Sequence, residues 1–239
     1  MSFIYRIKYK KNGPLKYISH LDLNALFRRT LRRTQIPVEL SQGYNPRFKV
    51  SFGPALPLGI AGWQEILDVF LTEEVNQEEI KKEINKVSPD GLTILEVQNI
   101  PVENSNLSKS LQWAMYRILL KLENTHDEDK LNTWDDKICL QIKQFLAQKN
   151  ITAEKKSKKG LKEINLRPYI ENMIFLSREN QIIVLRLIID ISYQGSINPY
   201  LIVKKFLEDV EKNTSNLEKI NIENIIRERL TLSVENGEN

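Results

Sequence analysis

The hydrophobic pattern of this chain changes period in the same order twice, and that order limits the folds open to it. Residues 3–10 alternate, with Phe3, Tyr5, Ile7 and Tyr9 on one side and Arg6, Lys8 and Lys10 on the other, as in a half-buried strand. Asn12-Gly13-Pro14 breaks the run. Ser19-His20-Leu21-Asp22 then has the form of a capping box, with Ser19 at the N-cap and Asp22 three residues on. A helix is expected from there to about Thr34, ahead of Pro37. Strands follow at 47–52 and 65–71, a helix at 76–87 and a strand at 92–99, which completes βαββαβ.

From residue 108 the order recurs. A strand is expected at 112–122, then a helix at 129–147 with Leu131, Trp134, Ile138, Ile142 and Phe145 on its apolar side. Strands at 164–176 and 181–191, a helix at 199–211 and a strand at 225–233 complete the second set. The expected fold class is therefore α+β: two tandem ferredoxin-like units, with antiparallel sheets and helices on one face. The N-terminal unit is placed at 1–102 and the C-terminal unit at 108–235, with 101–108 (PVENSNLS) as linker and Lys-rich 154–162 as a loop or hairpin tip.

Several chemistries are excluded by what the chain lacks. Its single cysteine, Cys139, cannot form an internal disulfide, nor an iron–sulfur or structural zinc site from this chain's thiolates alone. His20 and His126 are the only histidines, too few for an imidazole cluster. No cofactor or metal is expected. No apolar run approaches the ~18 residues of a membrane span, and the strand-like start lacks a signal peptide's apolar core. The expected compartment is the cytoplasm, with no membrane partner.

Charge is distributed unevenly. The chain carries 35 Lys and Arg against 31 Asp and Glu. Residues 1–60 hold eleven of the cations (Arg6, Lys8, Lys10, Lys11, Lys16, Arg28, Arg29, Arg32, Arg33, Arg47 and Lys49) but only Asp22 and Glu39 as acids. That stretch is +9, and the remainder, with 24 cations and 29 acids, is −5. A local positive field of this kind attracts polyanions, nucleic acid foremost. On a helical wheel with Arg28 at 0°, Arg32 falls at about 40°, Arg29 at about 100° and Arg33 at about 140°. Leu23, Leu26, Phe27 and Leu31 fill the opposing arc. No acid stands four residues away to pair with any of the four, and arginine suits bidentate contact with phosphate. The simpler reading is a solvated face whose last-turn cations complement the helix dipole.

Segment 41–59 is dense in turn formers and interleaves Tyr44, Arg47, Phe48, Lys49 and Phe52, a mixture suited to unpaired bases and their backbone. Phe48, Val50 and Phe52 read as the buried side of a strand, which leaves Tyr44 as the stacking candidate. Lys155, Lys156, Lys158 and Lys159 offer a second anchor for phosphate. His20 is the one candidate for proton transfer, although a capping box already accounts for Ser19 and Asp22. No phosphate-binding glycine loop, HExxH motif or carboxylate pair is present.

Ser19–Leu23, the arginines from Arg28 to Arg33, Ser41–Pro46 and Ala55–Gly59 together resemble the start of the radical SAM-associated bacterial family DUF2344. KEINLRPYI (Lys162–Ile170) and GSINP (Gly195–Pro199) resemble motifs of its second half. Matching family positions include Ser19, His20, Asp22, Gly43, Asn45, Pro46, Arg167 and Pro168. The chain departs from the family pattern in having Tyr44 for Phe, Arg47-Phe48 for His-Pro, and Arg227-Glu228-Arg229-Leu230 for Arg-Thr-Gly-Leu. The resemblance implies company with a radical SAM enzyme, whose three-cysteine motif this chain lacks. The expected function is a non-catalytic RNA-binding accessory in tRNA or rRNA modification. The alternatives are a metal-independent endoribonuclease, by fold analogy with CRISPR repeat-RNA processing enzymes, and a protein-docking subunit of the radical SAM enzyme.

Overall fold

A computed structural model describes residues 2–101, 106–123, 128–157, 160–192, 196–213 and 219–232, without the side chains of 128–133 and 155–157. The chain divides into two compact units: one joins the stretch up to Gln112 with the stretch from Arg227 onward, and the other is Trp113–Ile226. Both are mixtures of helices and mostly antiparallel strands.

In the first unit β1 (Phe3–Lys11) is followed by α1 (His20–Arg32), β2 (Val50–Phe52), β3 (Ala61–Leu71), α2 (Gln77–Val87) and β4 (Leu92–Ile100). A single-turn α3 (Leu107–Ser110) closes the series. The strands lie in the order β4-β1-β3, and β2 pairs with β3 through Val50↔Val69, Ser51↔Asp68 and Phe52↔Leu67. One set of side chains builds the core: Tyr5, Ile7 and Tyr9 of β1 and Leu67, Val69 and Leu71 of β3 cluster with Leu23, Phe27 and Leu31 of α1 and Ile80 and Ile84 of α2. Phe27 meets Tyr9 edge-on at 4.8 Å between ring centres.

The capping box forms. The Ser19 hydroxyl oxygen accepts from the Asp22 amide at 3.1 Å, and the Asp22 carboxylate accepts from the Ser19 amide at 3.4 Å. The helix stops at Arg32, two residues short of the expected end, where the Thr34 hydroxyl donates to the Leu31 carbonyl at 2.7 Å. The strand expected at 47–52 shrinks to three residues because its first half bonds elsewhere. Ser41 N–H donates to the Arg47 carbonyl at 2.7 Å, and Lys49 N–H to the Glu39 carbonyl at 2.8 Å.

The polar side of β1 is not simply solvated. Arg6 stands directly across from Asp68 and binds it through two hydrogen bonds of 2.9 Å, both residues buried. Lys8 pairs with Glu96, its partner on β4, at 3.1 Å.

The second unit contains β5 (Leu111–Leu122), α4 (Glu128–Ala147), β6 (Thr152–Ser157), β7 (Gly160–Asn165), β8 (Ile170–Glu179), β9 (Ile182–Asp190), α5 (Pro199–Asn213) and the 220–226 half of β10 (Ile220–Leu232). Strand order is β10-β5-β9-β8, with β6 and β7 as a separate hairpin. The strand expected at 164–176 is therefore two, β7 and β8, split by a 3-10 turn at Arg167–Tyr169. Pro168 has no N–H to offer a ladder. Trp134, Ile138, Ile142 and Phe145 are buried on α4, and Phe145 packs edge-on against Phe206 of α5 at 5.3 Å. No described helix is long and apolar enough to cross a membrane.

The Arg6–Asp68 pair gives the first test. Asp68→Ala removes the carboxylate paired with a buried guanidinium and is expected to cost about 3–5 kcal/mol of folding free energy, read from urea unfolding monitored by circular dichroism.

Candidate nucleic-acid interface

The apolar stripe of α1 packs down on the core, which turns the arginine stripe outward. Arg29, Arg32 and Arg33 are exposed, and Arg28 is half-buried. Arg28 donates to the Phe48 carbonyl, which ties the helix to the segment leading into β2. Arg33 reaches the Val87 carbonyl at 3.3 Å, at the end of α2. The Arg32 guanidinium lies over the Phe48 ring, 6.0 Å from its centre.

Facing α1 is the 41–47 turn. Its neck is closed by Ser41, whose N–H donates to the Arg47 carbonyl and whose hydroxyl oxygen accepts from the Arg47 amide at 3.0 Å. Gly43 takes φ +123°, a backbone conformation that favours glycine. The turn leaves Tyr44 completely exposed, together with Asn45 and Pro46. Arg47 stands close enough to Arg28 for its charge, second to burial, to lower the Arg28 pKa. Between helix and turn is an open groove of about 630 Å³, lined by Arg28, Arg29, Arg32 and Arg47, with Leu21, Ala25 and Phe48 as its apolar part.

No described acid forms an ion pair with Arg28, Arg29, Arg32, Arg33 or Arg47. Three cations of the basic quarter are differently placed. Arg6 and Lys8 are engaged as above, and Lys49 pairs with Glu39 at 2.9 Å while its ammonium sits 4.4 Å from the centre of the Phe70 ring. Lys49 is thus a partly neutralised member of the predicted set. Lys155 and Lys156 occupy β6, at register positions opposite Lys162 and Leu161. Their side chains, and Lys158, Lys159, His126 and Gly195 altogether, lie outside the described residues.

The matched motif residues of the second half have a structural explanation. Arg167 donates to the Leu146 carbonyl at 3.1 Å and to the Ile170 carbonyl at 2.7 Å, binding the end of α4 to the start of β8. Asn165 accepts from the amides of both Ile151 and Arg167.

His20 opens α1 and lines the same groove. Its ring meets Phe52 edge-on at 5.6 Å, and neither ring nitrogen has a hydrogen-bond partner among the described residues. Burial first, then the charges of Lys11 and Arg227, lower its pKa, against a smaller opposing effect of Glu65. The imidazole is therefore neutral at pH 7, with one nitrogen to donate and one to accept.

The groups that act on His20 form a buried cluster absent from the sequence-based set. Arg227 is fully buried and grips Glu65 with two hydrogen bonds, Nε to Oε1 at 2.7 Å and one from the second nitrogen, which also reaches the Pro54 carbonyl at 2.8 Å. Glu65 stands opposite Tyr9 on β1, so the two share a face of the sheet. Lys11 is also buried, with its ammonium 3.4 Å from the Ile18 carbonyl. Burial, reinforced by Glu65, raises the Tyr9 pKa well above its ordinary value, so the phenol stays protonated. Burial and Arg227 lower that of Lys11, while Glu65 opposes them. A carboxylate inside the apolar run Glu65-Ile66-Leu67-Asp68-Val69 was the signal for this cluster, because acids seldom sit buried without a cation. Gly62 makes room for it: a Cβ there would stand 2.5 Å from Glu65 Cγ. Among the described residues no group of three His, Cys, Asp or Glu could hold a metal ion.

Residues 5–199 match the model of a family described as an uncharacterized protein conserved in bacteria, DUF2344. No curated protein matches the sequence significantly. Solved structures with similar architecture include a Cbf5-Nop10-Gar1 complex, with TM-score 0.50, 11% identity, and coverage of 95% of this chain and 48% of that one. The archaeal box H/ACA sRNP Nop10-Cbf5 complex gives TM-score 0.44 and 11% identity over 93% of this chain and 46% of that one. The chain spans about half the length of these solved chains, and at such identities the likeness concerns the fold alone.

Two expectations follow from the cluster. Gly62→Ala pushes against a carboxylate that Arg227 holds in place, and should cost about 1–3 kcal/mol in urea unfolding. His20 binds a proton less readily folded than unfolded, so the unfolded state takes up the extra proton as pH falls below about 6.5. Its contribution to stability is thus unfavourable at low pH and vanishes above that value. His20→Gln should lose less thermal stability than wild type between pH 7 and pH 5, measured by parallel melts.

Proposed function

This chain belongs to the uncharacterized bacterial family DUF2344, and for it we propose the role of a non-catalytic RNA-binding accessory protein that serves a separate radical SAM enzyme in tRNA or rRNA modification. One observation carries the RNA reading: four guanidinium groups, Arg28, Arg29, Arg32 and Arg47, line one open groove, and no described acid forms an ion pair with any of them. Holding Arg28 beside Arg47 opposes folding, since like charges repel. A phosphodiester chain in the groove would turn that repulsion into attraction and release counterions as it bound.

The finer fold reading belongs to the same proposal. The orders β4-β1-β3-β2 and β10-β5-β9-β8 each set the last strand beside the first and the third beside the second, which supports two tandem ferredoxin-like units. The enzyme partner is proposed from the family resemblance.

A second reading rests on His20. A neutral imidazole whose nitrogens have no partner among the described residues, in the groove that would hold the backbone, suits removal of a proton from a ribose hydroxyl in metal-independent cleavage. Loss of cleavage in His20→Ala with binding retained would favour this reading, whereas intact RNA after long incubation favours the accessory role.

The test of the main proposal is titration with bulk cellular RNA over a series of salt concentrations. The Arg29→Ala/Arg47→Ala variant should bind more weakly and lower the slope of log affinity against log salt by about 1.4, at ~0.7 per lost phosphate contact on a single strand. An unchanged slope, or no binding at low salt, would reassign the face to an acidic protein surface.

A further inference from the structure

The lining of the groove says more than that its ligand is an anion. Phosphate requires only the guanidinium groups, yet Leu21, Ala25 and Phe48 line the same space. Leu21 is 79% exposed and Tyr44, three residues before Arg47 on the facing turn, is 100% exposed. Single exposed apolar residues are ordinary on protein surfaces, but Leu21 lines the groove beside arginines that no described acid pairs, and Tyr44 lies on the same turn as Arg47.

Hydrogen-bonding groups complete the lining. Neither ring nitrogen of His20 has a hydrogen-bond partner among the described residues, and the Asn24 side-chain amide donates to the His20 carbonyl at 3.1 Å. A duplex presents phosphates on its outside and keeps its bases stacked within, so it would meet the arginines and leave the rest in water. A single strand brings cation-seeking phosphates, flat apolar faces and uncommitted donors and acceptors together on one nucleotide.

We infer that the groove between α1 and the 41–47 turn is a subsite for unpaired RNA, with the phosphates held by Arg28, Arg29 and Arg47 and a base resting against Leu21 or Tyr44. This deepens the RNA-binding proposal and rests on it. The ligand class is thereby narrowed to loops, bulges or ends whose bases are free to leave the stack. A neutral His20 also keeps another charge out of the groove, so that its imidazole serves as a hydrogen-bonding group toward the base edge.

The experiment compares a fluorescein-labelled 12-nucleotide RNA without self-complementarity, alone and annealed to its complement, by fluorescence anisotropy at about 0.15 M salt. Wild type should bind the single strand about tenfold more tightly than the duplex. Leu21→Asn/Tyr44→Ala alters only exposed side chains, and thermal melts would verify its folding. That variant should lose about tenfold on the single strand, as removal of one stacking platform typically does, with duplex affinity and salt slope unchanged. Arg29→Ala/Arg47→Ala should weaken both ligands. Equal or tighter duplex binding by wild type, or equal losses on both ligands in Leu21→Asn/Tyr44→Ala, would overturn the single-strand assignment while leaving RNA binding intact. Absence of binding to either RNA would remove both proposals.

Discussion

Arg227 is fully buried, and the carboxylate that receives it, Glu65, lies 162 residues earlier in the chain. Removing these charges from water is costly, and their mutual attraction compensates only if the geometry is maintained. The paired hydrogen bonds, the Pro54 carbonyl and the space left by Gly62 maintain it. Both partners belong to the first unit, although the 220–226 half of β10 belongs to the second. Apolar contact could hold a strand in several registers, whereas a buried guanidinium on one carboxylate permits one.

The influence of this cluster extends to the groove. Tyr9 stays protonated, the ammonium of Lys11 is disfavoured by burial and by Arg227, and His20 is held neutral at the start of α1. The arginine groove and the buried cluster thus differ in electrostatic character although both belong to the first unit. In the cluster every described charge has a neighbour of opposite sign. On the α1 face, Arg28, Arg29, Arg32, Arg33 and Arg47 have none among the described residues. Water screens the exposed cations at small cost, so the fold tolerates an unneutralised surface that it would not tolerate inside.

Much of this organisation is legible in local sequence. Alternation placed β1, and the spacing of Leu23, Phe27 and Leu31 placed α1 and its outward arginines, because burial follows backbone periodicity. Ser19 and Asp22 marked the helix start through hydrogen bonds that span only three residues. The errors arose where distant segments compete for the same backbone. The Arg47 carbonyl and the Lys49 amide bond to Ser41 and Glu39 instead of extending β2, and Pro168 divides an apparent strand into β7 and β8. Arg6 and Lys49 count toward the basic first quarter, and only the fold brings Asp68 and Glu39 to them.

The sequence by itself determined the alternating strands and amphipathic helices, the N-cap of α1, and the concentration of cations in the first quarter. These depend on residue identity at spacings of two to four, for which local geometry suffices. Only the tertiary structure decided which cations remain unneutralised, that Glu65 receives Arg227, and that Arg47 joins Arg28 across the groove. Those outcomes depend on the strength of charge interactions at short range, and only folding sets the distances between residues far apart in the chain.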